Sequence, residues 1–282
     1  MADSSQRKRR AWVLGGGGLR GAAEVGMAKA MARRDLQPDL IVGTSVGSLN
    51  GAVLASEPVE QSIKTLAEMW ETMAATSVFR ESLARRVRNL FNHWTSLHSN
   101  LPLRQLINEW VPYHRLEEAS VHFECVAACI ETSSEEWFSR GSVTEAILAS
   151  CALPGVLPPV EINGRHYIDG GVVNSIPVSR AVDLGATEIF VLHVGHIDEP
   201  LQVPRHPWDV AMVSFEIARR HRFHTEMERP RDGVTIHVMP TGRPPGRYND
   251  LSKLRYNNSK PILATIDAAE TAGEEFLDGL QH

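Results

Sequence analysis

Short apolar runs alternate along the chain with longer amphipathic segments. The runs, several of which lead into glycines, predict buried strands, while apolar residues spaced every three or four positions predict helices. The predicted strands are 11–14, 40–42, 121–130, 136–139, 160–162, 165–168, 188–194 and 234–239. The predicted helices are 22–34, 48–55, 59–75, 78–97, 101–112, 143–149, a short helix ending near 184, 208–227 and 260–280. Strands that alternate with helices throughout predict a single α/β domain over residues 1–282.

The segment 78–97 combines apolar and basic positions within one predicted helix. Its apolar stripe consists of Phe79, Leu83, Val87, Leu90, Phe91 and Trp94, and much of the remainder is Arg80, Arg85, Arg86 and Arg88. Two interpretations are open. The stripe packs into the core, as in most amphipathic helices, or the region 78–112 is a lid whose helix contacts lipid at a membrane surface.

A nucleophile motif follows the second predicted strand. The apolar run 40–42 leads into Gly43-Thr44-Ser45-Val46-Gly47, and the small residues of 48–55 come next. A G-x-S-x-G sequence between a strand and a helix predicts a sharp turn that strains the serine backbone and exposes its hydroxyl. Ser45 would then be a nucleophile at a helix N-terminus, where backbone N–H groups favour negative charge. The alternative is that Ser45 only caps the helix.

A glycine-rich loop follows the first predicted strand. Residues 15–21 read Gly-Gly-Gly-Gly-Leu-Arg-Gly and lead into the helix 22–34. Strand, glycine loop and helix together predict an anion-binding arrangement of bare N–H groups. The spacing Gly16-x-Gly18-x-x-Gly21 also matches the dinucleotide fingerprint, which expects an acidic residue at the end of the next strand. That strand instead begins at Asp39 and ends in the serine motif, so nucleotide binding is disfavoured.

A predicted hairpin delivers a carboxylate. Asn163-Gly164 separates the strands 160–162 and 165–168, and Asp169-Gly170-Gly171 follows directly. A serine hydroxyl is a poor nucleophile until a base takes its proton, and partial burial would raise the pKa of Asp169 towards neutral pH. Of the 12 histidines, only His193 and His196 lie in a motif-like setting near the end of a predicted strand. The alternative for Asp169 is an Asx-type turn residue.

Composition and charge narrow the function classes. The net charge of −5 argues against general nucleic-acid binding. The three cysteines, Cys125, Cys129 and Cys151, are odd in number and predict buried thiols in the cytoplasm rather than a disulfide frame. No apolar run has the length of a membrane span. The basic residues within 1–10 predict a solvated tail, with contact to anionic lipid as the alternative. No carboxylate or cysteine completes a metal site at His221 and His224.

Three stretches in a fixed order carry a family resemblance. They are Gly16-Gly17-Gly18-Leu19-Arg20-Gly21, Gly43-Thr44-Ser45-Val46-Gly47 and Asp169-Gly170-Gly171. In this order they resemble the patatin-like phospholipase family, whose pattern is G-G-G-x-R/K-G, G-x-S-x-G and D-G-G/A. The stretches 149–154 and 174–177 also look like that family, and the resemblance covers about 11–194.

The resemblance implies a fold and a mechanism. It implies a three-layer α/β fold with a central, mostly parallel sheet, and a catalytic dyad of Ser45 and Asp169 without metal or cofactor. The oxyanion hole would come from the N–H groups of Gly16, Gly17, Gly18 and Val46, with Arg20, Gly21, Gly43, Gly47, Gly170 and Gly171 supporting the loops. The expected activity is hydrolysis of lipid acyl esters in the cytoplasm or at a membrane surface. Thioesterase and acyl transferase chemistry, a non-catalytic regulator that keeps the fold, and the oligomeric state are left open.

Overall fold

The computed structural model describes residues 8–76, 98–194, 200–201, 203–204, 207–229, 231–242 and 260–280. The strands are β1 (Arg10–Leu14), β2 (Leu40–Thr44), β3 (His122–Cys129), β4 (Ser134–Phe138), β5 (Val160–Ile162), β6 (Arg165–Asp169), β7 (Glu188–Leu192) and β8 (Thr235–Val238). The helices are α1 (Ala22–Ala32), α2 (Val46–Leu54), α3 (Val59–Thr76), α4 (Leu101–Trp110), α5 (Val143–Ser150), α6 (Val178–Asp183), α7 (Pro207–Met227) and α8 (Lys260–Gly279). The predicted helix 78–97 lies outside the described residues.

One mixed sheet forms the centre of the fold. The strands β3, β2, β1, β7 and β8 lie side by side in parallel, and β4 pairs with β3 in the antiparallel direction. The hairpin of β5 and β6 is also antiparallel and joins the sheet through β3. The expected mostly parallel sheet is confirmed.

The register along β3 brings two distant parts of the chain together. Val126 pairs with Thr44 of β2 and with Trp137 of β4, and the next residue, Ala127, pairs with Asp169 of β6 and with Glu136 of β4. Since β4 occupies one edge of β3 at both positions, β2 and β6 share the other edge. The two strands therefore meet end to end, with Thr44 and Asp169 at the junction.

Helices cover both faces of the sheet, which gives three layers. Alternate residues of a strand point to opposite faces. In β1, Trp12 and Leu14 join the larger core with α1, α2 and α3, whereas Ala11 and Val13 join a second core with α6 and Phe223 of α7. The three-layer arrangement expected from the resemblance is thus present.

Two expectations at the periphery need correction. Arg10 is not part of a solvated tail, because it begins β1 and its guanidinium forms an ion pair with Glu188 at 2.7 Å, as Lys8 also does. The proposed lid region 78–112 includes α4, and α4 is packed into the main body. Its residues Leu103, Leu106 and Ile107 are buried in the larger core, because its amphipathic face lies against the neighbouring helices.

Candidate active site

Ser45 stands at the turn between β2 and α2 in a strained conformation. Its φ of 54° is positive, which is uncommon for a residue other than glycine. The glycines on either side allow the turn, because a Cβ on Gly43 would lie 2.4 Å from the Gly47 carbonyl oxygen and a Cβ on Gly47 would lie 2.4 Å from that of Leu14. Ser45 occupies the N-cap position of α2 but makes no side-chain cap. Capping therefore does not explain its hydroxyl.

The Ser45 hydroxyl donates a hydrogen bond to Asp169. The Oγ to Oδ2 distance is 2.6 Å. The second carboxylate oxygen, Oδ1, accepts the Gly171 N–H at 2.7 Å and caps the short helical turn Gly170–Val172. Asp169 is thus both a turn residue and the partner of Ser45, so the two interpretations made from the sequence coexist.

Burial sets the proton affinity of Asp169. Its side chain is 2% exposed. Desolvation raises the pKa of Asp169 to about 6, and the hydrogen bonds from Ser45 and Gly171 oppose that rise because they favour the charged form. A carboxylate with this pKa is charged at neutral pH yet basic enough to accept a proton, which is what a general base requires.

Residues 150–152, at the end of α5, hold both members of the pair. The Ser45 N–H donates to Ser150 Oγ at 2.9 Å, and the Asp169 N–H donates to the Ala152 carbonyl at 2.9 Å. Between them, Cys151 Sγ lies 3.7 Å from Ser48 Oγ. From the sequence, this stretch was identified only by its resemblance to the family. Its hydrogen bonds to both Ser45 and Asp169 are seen only in the structure.

The glycine loop lies beside Ser45, but one expected oxyanion donor is already used. A Cβ on Gly16 would lie 3.4 Å from the Ser45 Cβ. The Gly16 N–H donates to the Ser175 carbonyl at 2.9 Å, so the prediction that it binds an oxyanion is wrong. Among the described residues, the N–H groups of Gly17, Gly18 and Val46 have no acceptor. Gly18 has a φ of 57°, a left-handed conformation suited to glycine.

The remaining motif residues lie within or beside the loops that they are expected to support. Arg20 lies in the short helical turn Gly18–Gly21, and its N–H donates to the Gly17 carbonyl at 3.4 Å. Gly21 packs against Val46, and its carbonyl accepts from Asn50 Nδ2 at 3.0 Å. Gly170 packs against the Val126 carbonyl of β3, and Gly171 packs against Phe215 of α7.

A buried polar network lies below the glycine loop. Asn50 of α2 donates to Glu24 Oε2 at 2.7 Å and accepts the Trp70 indole N–H at 3.0 Å. Burial raises the pKa of Glu24 well above its usual range, and the hydrogen bond from Asn50 opposes that rise. The network links α1, α2 and α3 beneath the turn that carries Ser45.

The inner face of α7 carries buried polar residues. His221 and His224 of this helix are exposed, whereas Glu216 and Arg219 are buried. Arg219 Nη1 donates to the Gly16 carbonyl at 3.1 Å. A Glu followed by Arg at i+3 and i+4 was a signal for an ion-paired turn, although not for its burial.

His193 and Asp39, which were also considered from the sequence, make contacts with other parts of the fold. His193 packs behind Gly15, with its Cβ 3.3 Å from where a Gly15 Cβ would be, and its ring faces Phe223. His196 lies outside the described residues. Asp39, weighed as a ribose ligand, accepts the Arg10 N–H at the amino end of β2. Within the described ranges, no three His, Cys, Asp or Glu side chains are placed to hold a metal ion.

Two further expectations concern the state of the cysteines and the presence of a membrane-spanning helix. Cys125, Cys129 and Cys151 are free thiols. Burial raises the pKa of the Cys151 thiol, which keeps it neutral beside Asp169. In the part of the chain that the structure describes, no helix combines the length and the apolar character needed to span a bilayer.

Comparison with known proteins gives a consistent family match. The sequence profile of the Patatin-like phospholipase family matches residues 12–182. The chain is 32% identical over 193 residues to Patatin-like phospholipase domain-containing protein ZK370.4 of Caenorhabditis elegans, a match that covers 66% of this chain and 14% of that protein. It is 30% identical over 187 residues to Lysophospholipase NTE1 of Candida albicans, covering 66% of this chain and 13% of that protein. The matched part is therefore a small fraction of the length of these relatives.

A solved structure was also compared with the chain. The crystal structure of VipD from Legionella pneumophila aligns with a TM-score of 0.48 at 12% sequence identity, covering 99% of this chain and 72% of that one.

Proposed function

Because the chain belongs to the patatin-like phospholipase family, we propose that it is a serine hydrolase of lipid acyl esters with Ser45 as nucleophile and Asp169 as general base. The observation that carries this proposal is the 2.6 Å hydrogen bond from Ser45 Oγ to Asp169 Oδ2. Ser45 comes from the end of β2 and Asp169 from the end of β6, and the register of β3 holds both ends in place.

In the first half-reaction, Ser45 Oγ attacks the carbonyl carbon of the ester as its proton passes to Asp169. The resulting oxyanion is bound by the N–H groups of Gly17, Gly18 and Val46. Each such donor is worth about 3 kcal/mol in the transition state. The intermediate collapses to an acyl-enzyme, and the leaving alcohol takes the proton from Asp169.

In the second half-reaction, water replaces the alcohol. Asp169 takes a proton from the water as it attacks the acyl-enzyme, and the same N–H groups bind the second oxyanion. Release of the fatty acid restores the Ser45 hydroxyl and its hydrogen bond. The name of the Candida albicans relative supports single-chain lysophospholipids as the first substrates to test.

A labelling reaction tests the nucleophile. A fluorophosphonate probe should label the wild type, and the Ser45→Ala variant should lose both labelling and ester hydrolysis while its melting temperature persists. Ser56→Ala is the matched control, because Ser56 lies beyond the end of α2, where its hydroxyl donates to the Val53 carbonyl, and its loss should not affect labelling. Substantial turnover by purified Ser45→Ala would contradict the proposal.

The Asp169→Asn substitution tests the base. It preserves shape but removes basicity, so hydrolysis of lysophosphatidylcholine and of a short soluble ester should both fall by at least about 10²-fold. The fold should persist, since replacing a buried charge by an amide relieves its desolvation cost. A regulator that only retains the fold would instead show no hydrolysis and no labelling in the wild type.

A further inference from the structure

A buried ion pair on α7 lies next to the glycine loop. Arg219 is 8% exposed and Glu216 is 2% exposed. The pairing is bidentate, with Arg219 Nε 2.8 Å from Glu216 Oε2 and Arg219 Nη2 3.0 Å from Glu216 Oε1. Two of the three guanidinium nitrogens are thereby fixed, and since the guanidinium is planar, the direction of the third is fixed as well.

The third nitrogen, Nη1, reaches the loop beside Ser45. It lies 3.1 Å from the Gly16 carbonyl oxygen and 3.4 Å from Ser175 Oγ. The Gly16 N–H donates to the Ser175 carbonyl at 2.9 Å. Gly16 is therefore held on both of its peptide groups, by Ser175 on one side and by Arg219 on the other.

The contact at the Gly16 carbonyl also sets the direction of the next amide. The Gly16 C=O and the Gly17 N–H belong to one planar trans peptide unit and point in opposite directions. Fixing the carbonyl towards α7 therefore directs the Gly17 N–H away from α7. A charged donor on the carbonyl also polarises the peptide, which strengthens its N–H as a hydrogen-bond donor.

The loop needs such an external contact because of its composition. Residues 15–18 are all glycine, so the loop has great backbone freedom and no side chains of its own to restrain it. One turn of α7 before Arg219, on the same helix face, Phe215 lies 3.0 Å from where a Gly171 Cβ would be. This face of α7 thus touches both the glycine loop and the turn that carries Asp169.

We propose that Arg219 is a positioning residue that orients the Gly17 amide for oxyanion binding, an inference that rests on the proposed function. The rival explanation is that the ion pair only stabilises α7. The two explanations predict different kinetics. If Arg219 orients the donor, its loss weakens binding of the oxyanion in the transition state more than binding of the substrate.

The test compares Arg219→Met with Arg220→Met. Arg220 is the matched control, because its Nε binds the same Glu216 carboxylate at 2.8 Å from the next position of α7. With a short soluble ester, Arg219→Met should lower kcat by roughly 10- to 100-fold with KM little changed, less than the 10²- to 10³-fold loss of a deleted donor. Inhibition by an aliphatic trifluoromethyl ketone, which forms a tetrahedral oxyanion on serine, should weaken by a similar factor. Arg220→Met should alter neither value.

A second variant keeps the test informative if Arg219→Met does not fold. Arg219→Lys retains the charge beside Glu216 but lacks the planar fork that reaches two partners at once. It should melt close to the wild type and still lose kcat and affinity for the ketone. Fluorophosphonate labelling at saturation counts the folded sites in each sample.

The outcomes separate this inference from the proposed function. A wild type that the fluorophosphonate does not label overturns both. A labelled wild type, with Arg219 variants that keep wild-type kcat and ketone affinity, overturns the positioning role alone. Equal losses in the Arg219 and Arg220 variants also overturn it, because they would reflect the stability of α7.

Discussion

Two opposing influences act on the Asp169 carboxylate. Desolvation disfavours its charge, while the Ser45 hydroxyl and the Gly171 N–H stabilise that charge through hydrogen bonds. Desolvation is the larger influence, so the pKa is raised rather than lowered. Within the described residues two groups donate to the Asp169 carboxylate, and they lower its pKa by less than burial raises it.

The pH dependence of hydrolysis should report this balance. Since the charged form of Asp169 is the active base, kcat/KM should be constant above pH 7 and fall about tenfold per unit below a midpoint near the raised pKa, about 6. The measurement is a pH profile with a short soluble ester, over a range in which the protein stays folded. A midpoint near 4 would mean that the carboxylate is solvated during catalysis.

The local sequence identifies the two residues of the candidate site, whereas the strand register brings them into contact. Ser45 and Asp169 were both identifiable, because each follows an apolar run, with glycines on both sides of Ser45 and two glycines directly after Asp169. Their contact was not derivable from the motifs alone, since it depends on consecutive residues of β3 pairing with β2 and with β6. The use of the Gly16 amide by Ser175 was missed for the same reason, as that partner lies far along the chain.

The helices α1 and α8 pack closely against each other. A Cβ on Gly26 of α1 would lie 2.1 Å from the Ile266 carbonyl oxygen and 2.6 Å from the Glu270 backbone nitrogen. Ion pairs such as Lys29–Glu270 line the same interface. The Lys29 and Glu270 side chains are 33% and 13% exposed, so this ion pair is partly buried and adds to the close backbone packing of α1 on α8.

Gly26→Ala should therefore destabilise the protein. Alanine normally improves a helix by about 1 kcal/mol over glycine, but here its methyl group meets backbone that cannot rotate away. Overpacking costs typically 1–3 kcal/mol, so we expect a lower melting temperature. The matched control is Gly279→Ala on α8, where a Cβ would have nothing within 4 Å and the change should be small. A Gly26→Ala variant as stable as the wild type would contradict the close contact.

Sequence patterns predicted the positions of helices and strands better than they predicted which side chains of a helix face the core. The observed β7 (Glu188–Leu192) and α8 (Lys260–Gly279) lie close to their predicted ranges, because apolar runs and helical spacing are local signals. The inward orientation of Arg219 was not predicted, because charged residues on a helix are usually exposed and only the packing of α7 on the glycine loop reverses that rule. The lipid contact considered for 78–97 stays a prediction, because that segment lies outside the described residues.

At the scale of the whole molecule, the fold extends beyond the family match. The profile ends at residue 182, yet β1 is flanked by β7 along its full length. The side chains of Ile189, Phe190, Val191 and Leu192 are buried, two in each core. The later segments also supply α8 against α1 and Arg219 against the glycine loop. We therefore propose that the described segments between residues 8 and 280 form one cooperative unit.

A truncated chain tests whether these segments fold as one cooperative unit. Burying one large apolar side chain contributes roughly 1.5–3 kcal/mol, so losing the four of β7 removes a stabilisation comparable to the entire 5–15 kcal/mol of a typical domain. The fragment 1–183 also exposes the edge of β1, which favours aggregation. We expect it to be insoluble or to lack a cooperative melting transition, whereas the full chain and a control chain ending at Leu280 should each melt in one transition. A soluble fragment 1–183 that melts cooperatively and reacts with a fluorophosphonate would show that the family-matched part folds independently.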